Sequence, residues 1–130
     1  MVSRETVRVL IVEQFPTTAA VIRALLAGSS RVSVVGEAAE APQALRLLEH
    51  LRPDVVILDG ALGHRDGHSL IRQMKEAQPG VRLIVLSDHP DPLYQEAAAA
   101  SGADRLILKV HLVTELLPAI RAVLPEAGPA

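Results

Sequence analysis

Three observations predict a three-layer α/β sandwich, with a parallel sheet between two layers of helices. Five short apolar runs alternate with five longer amphipathic stretches along the chain. The runs are rich in β-branched residues and mostly continuous, as strands buried on both faces of a parallel sheet read. The length of 130 residues, nearly half of them apolar, suits one compact domain with a sizeable core.

The strands are expected at Val7–Val12, Val32–Val35, Val55–Leu58, Leu83–Leu86 and Leu106–Leu108. Between them, Val21, Ile22, Leu25 and Leu26 recur at helical spacing, with Gly28 as a stop. Ala44, Leu45, Leu48 and Leu51 repeat the pattern. A third helix carries Leu70, Ile71 and Met74, with Asp66 as its cap and Pro79-Gly80 at its end. Asp91-Pro92 opens a fourth, which ends near Gly102. Thr114 is the expected cap of a fifth, carrying Leu117, Ile120 and Leu124. Pro118 is tolerable only in about the first turn, so that helix should start no earlier than Thr114. The order βαβαβαβαβα argues for right-handed crossovers and a flavodoxin-like doubly wound (βα)5 sheet of order 2-1-3-4-5. The domain is placed at 1–124, and the Pro/Gly/Ala-rich stretch 125–130 reads as a tail or the start of a linker.

Composition narrows function. With 13 basic and 15 acidic residues, the net charge of -2 offers no general affinity for nucleic acid or anionic membrane. There is no cysteine, which removes disulfides and thiolate metal sites. No apolar run approaches the roughly 20 residues of a membrane span, and the N-terminus lacks an apolar signal core. A cytoplasmic protein is the expectation.

In open parallel sheets, ligands bind beyond the carboxyl ends of the strands, where strand order reverses. The first run closes in Glu13-Gln14, the third in Asp59, the fourth in Ser87 and the fifth in Lys109. Two carboxylates, a hydroxyl and an ammonium thus meet at one edge. Clustered carboxylates are relieved by a hard divalent cation such as Mg²⁺. A carboxylate can also be the nucleophile that accepts a phosphoryl group, with a lysine and a hydroxyl holding its oxygens.

At these residues the chain resembles the receiver domain of two-component response regulators, over roughly Val7 to Leu124. The markers are Val9-Leu10-Ile11-Val12-Glu13-Gln14, Arg52-Pro53-Asp54-Val55-Val56-Ile57-Leu58-Asp59, the loop Gly60 to Gly67, Ile84-Val85-Leu86-Ser87 and Gly102-Ala103-Asp104-Arg105-Leu106-Ile107-Leu108-Lys109. The Gly-Ala-Asp segment, the non-proline after Lys109 and Glu115 to Ile120 look most like the branch with a LuxR-type output. The resemblance implies that Asp59 accepts phosphoryl from a histidine kinase or phosphotransfer protein. It implies Mg²⁺ on Glu13, Gln14, Asp59 and the Ala61 carbonyl, with Ser87 and Lys109 on the phosphoryl oxygens. Ala61 and His89 stand where side chains tune dephosphorylation. It further implies a signalling domain, not an enzyme, that contacts neither nucleic acid nor membrane itself and that can form a homodimer.

Four residues depart from the family pattern: Gly63 and Val110 stand in place of common prolines, and two others weigh more. Gln14 stands in place of an aspartate ligand, which predicts weaker Mg²⁺ binding. Leu106 stands at the switch position, where the family usually has Tyr or Phe. Together they favour a second reading, a pseudo-receiver that binds partners without a phosphoryl cycle. A flavin-binding protein on the same fold is a third class. Against it, the loop Glu13 to Thr18 has no glycine for a phosphate, and neither GxGxxG nor GxxxxGK[ST] occurs. The five histidines fit no standard zinc spacing and read as surface residues.

Overall fold

The computed structural model describes residues 6–63, 68–88 and 90–124. Its strands are β1 (Val7–Val12), β2 (Val32–Ala38), β3 (Val55–Asp59), β4 (Arg82–Ser87) and β5 (Arg105–Leu108). Its α-helices are α1 (Pro16–Ala27), α2 (Ala41–Leu51), α3 (His68–Ala77), α4 (Pro92–Ser101) and α5 (Leu112–Val123). Short 3-10 turns follow β3 at Gly60–Gly63 and β5 at Lys109–His111. The sheet has the predicted order β2-β1-β3-β4-β5, with every pairing parallel. The expected cap Asp66, the expected rate-tuning residue His89 and the tail from Pro125 to Ala130 lie outside the described residues.

The continuity of the apolar runs follows from the three layers. Successive strand residues point to opposite faces. Val9, Ile11, Val55, Ile57, Ile84 and Leu86 pack with Ile22 and Leu26 of α1 and Leu112, Leu116 and Ile120 of α5. Leu10, Val12, Val56, Leu58, Leu83 and Val85 pack with Ala44 and Leu48 of α2, with Ile71 and Met74 of α3, and with Ala98 of α4. Both faces are therefore buried, and every position of Val9 to Val12, Val55 to Leu58 and Leu83 to Leu86 is apolar and buried.

Two boundaries differ from expectation by two residues or more. Strand β2 runs on to Ala38, because a register shift between Val9 and Leu10 lets Gly36, Glu37 and Ala38 pair with Leu10, Ile11 and Val12. Glycine leaves room there for two leucines: a Cβ on Gly36 would lie 2.7 Å from Leu51 Cδ1 and 3.3 Å from Leu10 Cδ1. Helix α5 begins at Leu112, two residues before the expected cap. Thr114 does not cap it and instead donates its hydroxyl to the His111 carbonyl at 3.3 Å. Burial decides this start: Leu112, Leu116, Ala119, Ile120 and Val123 form one buried stripe, and a later start would leave Leu112 outside it. Pro118 then sits inside the helix with no N–H for the Thr114 carbonyl. Both residues are exposed, so water can satisfy that group.

Strands β3, β4 and β5 each run one residue past expectation at one or both ends, and α4 opens and closes as expected. Asp91 caps α4, its Oδ1 accepting the Leu93 N–H at 2.9 Å, with Pro92 at the first helical position. Gly102 ends that helix at φ +123°, a conformation that side chains disfavour. Among the described residues no helix is long and apolar enough to cross a membrane.

Gly102→Ala should lower stability in urea unfolding by about 1–3 kcal/mol, through backbone strain and a Cβ placed 2.8 Å from Lys75 Cγ. Gly80→Ala should change it little, since a Cβ there meets nothing within 4 Å. Equal losses in the two variants would contradict this account of Gly102.

Candidate functional site

The strand ends converge as the topology demands. Asp59 and Ser87 are the last residues of β3 and β4, and Glu13 follows β1 directly. All three are buried, with 1 %, 3 % and 4 % of their surface exposed for Asp59, Ser87 and Glu13. Lys109 starts the turn after β5 and reaches across the end of β4. Its Nζ lies 3.3 Å from Asp59 Oδ1 and 3.6 Å from Glu13 Oε1. One ammonium thus serves two buried carboxylates on neighbouring strands.

The remaining partners of Asp59 come from local backbone and from Gln14. The Ala61 N–H donates to Asp59 Oδ1 at 3.0 Å. Gln14, exposed, donates Nε2 to Asp59 Oδ2 at 3.3 Å. The Phe15 N–H donates to Glu13 Oε2 at 3.1 Å. Glu13 Oε1 is buried and accepts no hydrogen bond from the described residues.

These surroundings push the two carboxyls apart. Burial raises Glu13 to about 7, helped by its hydrogen bond to Asp59, while the Phe15 N–H and Lys109 oppose the rise. Burial alone would also raise Asp59. The hydrogen bonds from Glu13, the Ala61 N–H and Gln14, together with the Lys109 charge, lower it below its ordinary value instead. Below about pH 7 the pair therefore favours its negative charge on Asp59 and a proton on Glu13.

The donor set fits a hard divalent cation. It offers carboxylate oxygens from Glu13 and Asp59, one of them an orphaned buried oxygen, and the Gln14 amide oxygen after a half-turn of the amide. It is one charge poorer than a site of three carboxylates. Among the described residues no group of three or more His, Cys, Asp or Glu side chains could hold a metal.

The expected residues Glu13, Gln14, Asp59, Ala61, Ser87 and Lys109 thus gather at one edge. Leu106 does not join them. It is partly buried against the core on the α2–α4 side, beside a groove of about 440 Å³ also lined by Gln95, Ala99, Thr114, Glu115 and Pro118. Two neighbours were not expected to matter. Phe15, half exposed, places its ring 5.2 Å from Lys109 Nζ, a cation–π contact. Tyr94 donates its hydroxyl to the Gly60 carbonyl at 3.4 Å. Only the position of Phe15, two residues past Glu13, could have suggested the first.

The family model for the response regulator receiver domain matches residues 9–121. The response regulator protein VraR of Staphylococcus saprophyticus is 27 % identical over 115 residues, covering 88 % of this chain and 55 % of that protein. The probable transcriptional regulatory protein NarL of Mycobacterium tuberculosis is 34 % identical over 118 residues, covering 89 % of this chain and 54 % of that protein. The chain thus spans about half the length of these curated relatives. A LuxR-family two-component response regulator from Aurantimonas superposes with a TM-score of 0.84 at 28 % identity, covering 91 % of this chain and 84 % of that one.

The raised Glu13 carboxyl has a consequence for stability without metal. The folded protein holds that proton more tightly than the unfolded chain does. Its contribution is complete below the ordinary value of 4.5 and is lost as pH rises through about 7. In a chelator, urea unfolding from about pH 5 to 8 should therefore show the protein losing stability relative to Glu13→Gln. Parallel pH curves for the two would contradict it. Asp59 contributes with the opposite sign, its stabilisation disappearing as pH falls below its ordinary 3.8.

Proposed function

The chain belongs to the response regulator receiver domain family, and from that premise we propose that it is a phosphoryl-accepting switch of two-component signalling. In this reading Asp59 takes a phosphoryl group from a histidine kinase or a phosphotransfer protein. The observation that carries it is the single Lys109 ammonium set between Asp59 Oδ1 and Glu13 Oε1 at the carboxyl edge of the sheet.

The transfer needs little beyond positioning and charge. An Asp59 carboxylate oxygen bonds to phosphorus as the phosphorus–nitrogen bond of the donor phosphohistidine breaks, and the imidazole nitrogen keeps that electron pair. Ionised Asp59 is ready as the nucleophile, and its lowered pKa supports that role. Lys109, already 3.3 Å away, exchanges one carboxylate contact for a phosphoryl oxygen. The Ser87 hydroxyl, at the next strand end, holds a second oxygen. Glu13, Asp59, the Gln14 amide oxygen and the Ala61 carbonyl would hold Mg²⁺. When bound, the ion neutralises the charge that builds between the carboxylates and the phosphoryl group. Ala61 and His89 would set how long the adduct lasts, by controlling approach of water.

We take 1–124 as the receiver unit, acting in the cytoplasm without touching membrane or nucleic acid itself. It passes its state to a partner or to a second copy. Transcription regulation through an output domain is part of this proposal, supported by the names of the relatives. One observation favours a second reading. The Gln14 amide already occupies Asp59 Oδ2, as it would in a pseudo-receiver that binds partners without a phosphoryl cycle.

Intact mass after incubation with a small-molecule phosphodonor separates the two. A single phosphoryl adduct that requires Mg²⁺ and vanishes in Asp59→Asn is expected. No adduct at saturating Mg²⁺ would favour the pseudo-receiver. Gln14→Asp should tighten Mg²⁺ by about tenfold or more, since ligand charge sets affinity. Unchanged Mg²⁺ affinity in that variant would remove Gln14 from the proposed ligand set.

A further inference from the structure

Tyr94 lies outside the cluster at the strand ends and yet touches its backbone. It is the only tyrosine of the chain, which has no tryptophan. It sits in the first turn of α4, partly buried, and donates its hydroxyl to the carbonyl of Gly60, the residue after Asp59. Its ring is 5.0 Å from that of His68, at 47°, so it is wedged between the start of α3 and the end of β3.

This junction has no slack. A Cβ on Gly60 would lie 2.7 Å from the Tyr94 hydroxyl, 3.0 Å from the Leu86 carbonyl and 3.1 Å from Val85 Cγ1. Close packing transmits a displacement and does not absorb it. The next residue, Ala61, gives its N–H to Asp59 Oδ1. A short path therefore runs from the Asp59 carboxylate through the Gly60–Ala61 peptide and the Tyr94 hydroxyl into α4.

At its far end is a thinly held helix. Only Ala98 of α4 is buried, and its last turns carry exposed Ala97, Ala99 and Ala100. An element with little buried apolar surface shifts at low cost. Strand β5 offers a poorer route, because Leu106 has no polar atom with which to follow a change at the end of β4.

We propose that Tyr94 is a positioning residue that couples the charge state of Asp59 to the placement of helix α4, through its hydrogen bond to the Gly60 carbonyl. The inference rests on the reading of Asp59 as the residue where the chain is modified.

The test uses backbone amide NMR of the whole chain and a double-mutant cycle. Asp59→Asn changes the charge at the acceptor without any phosphodonor. It should displace the amide resonances of Ala97 to Ser101. In the Tyr94→Phe background, which keeps the ring and loses the hydroxyl, that displacement should shrink by about twofold or more. Emission from the single tyrosine should also change on Asp59→Asn, a signal that a purely structural Tyr94 would not give. Equal displacements in the two backgrounds, or none in either, would overturn the coupling. Intact mass after phosphodonor treatment reads the receiver function separately on the same protein. An adduct without coupling overturns this inference alone, and coupling without an adduct overturns the receiver reading alone.

Discussion

Two carboxylates buried at neighbouring strand ends repel each other unless a positive charge stands between them. Here the Lys109 ammonium does so, 3.3 Å from Asp59 and 3.6 Å from Glu13. Taking these groups out of water is costly, and the attraction offsets that cost only where the geometry is good and the other polar atoms are partnered. For Asp59 they are: Lys109 and the Ala61 N–H serve one oxygen and Gln14 the other. For Glu13 they are only half so, since Oε1 accepts no hydrogen bond from the described residues. The imbalance decides which carboxyl keeps the proton. It favours Asp59 as the anion, in a buried place held by several donors, where a charge change is most strongly felt.

The rest of the fold can be read as the support for that arrangement. Lys109 starts from β5, two strands from β3, so its reach depends on the sheet order and on where β4 stops. The two apolar layers hold the strand ends in register, and the buried runs of β1, β3 and β4 give way to Glu13, Asp59 and Ser87 at the same edge. Gln14 is the compromise in the design. Its amide donates to Asp59 in the resting state, and a half-turn would present an oxygen in place of the N–H₂ group. The side chain can thus partner Asp59 or present an oxygen to a cation, though without the charge that an aspartate would add.

Much of this was legible in the primary structure. The strand runs were visible because both faces of the sheet are buried, and the strand ends were visible because polarity returns there at Glu13, Asp59, Ser87 and Lys109. The start of α5 was not, because Pro118 argued locally for a late start. The burial of Leu112, a tertiary effect, overrode it. The length of β2 was hidden by a register shift that no periodicity announces. Within the site, little in the local sequence marks Phe15 or Tyr94. Their contacts with Lys109 and Gly60 join residues far apart in the chain, and only the folded backbone brings them together.

We propose that this edge of the sheet holds a phosphoryl group on Asp59 with Lys109 as its counter-charge. Fluorine NMR with beryllofluoride, a mimic of the phosphoryl group, tests it without any kinase. A bound fluorine signal that requires Mg²⁺ and disappears in Asp59→Asn and in Lys109→Ala is the predicted result. The absence of a bound signal in the unaltered protein at saturating Mg²⁺, or a signal that survives Asp59→Asn, would contradict the account.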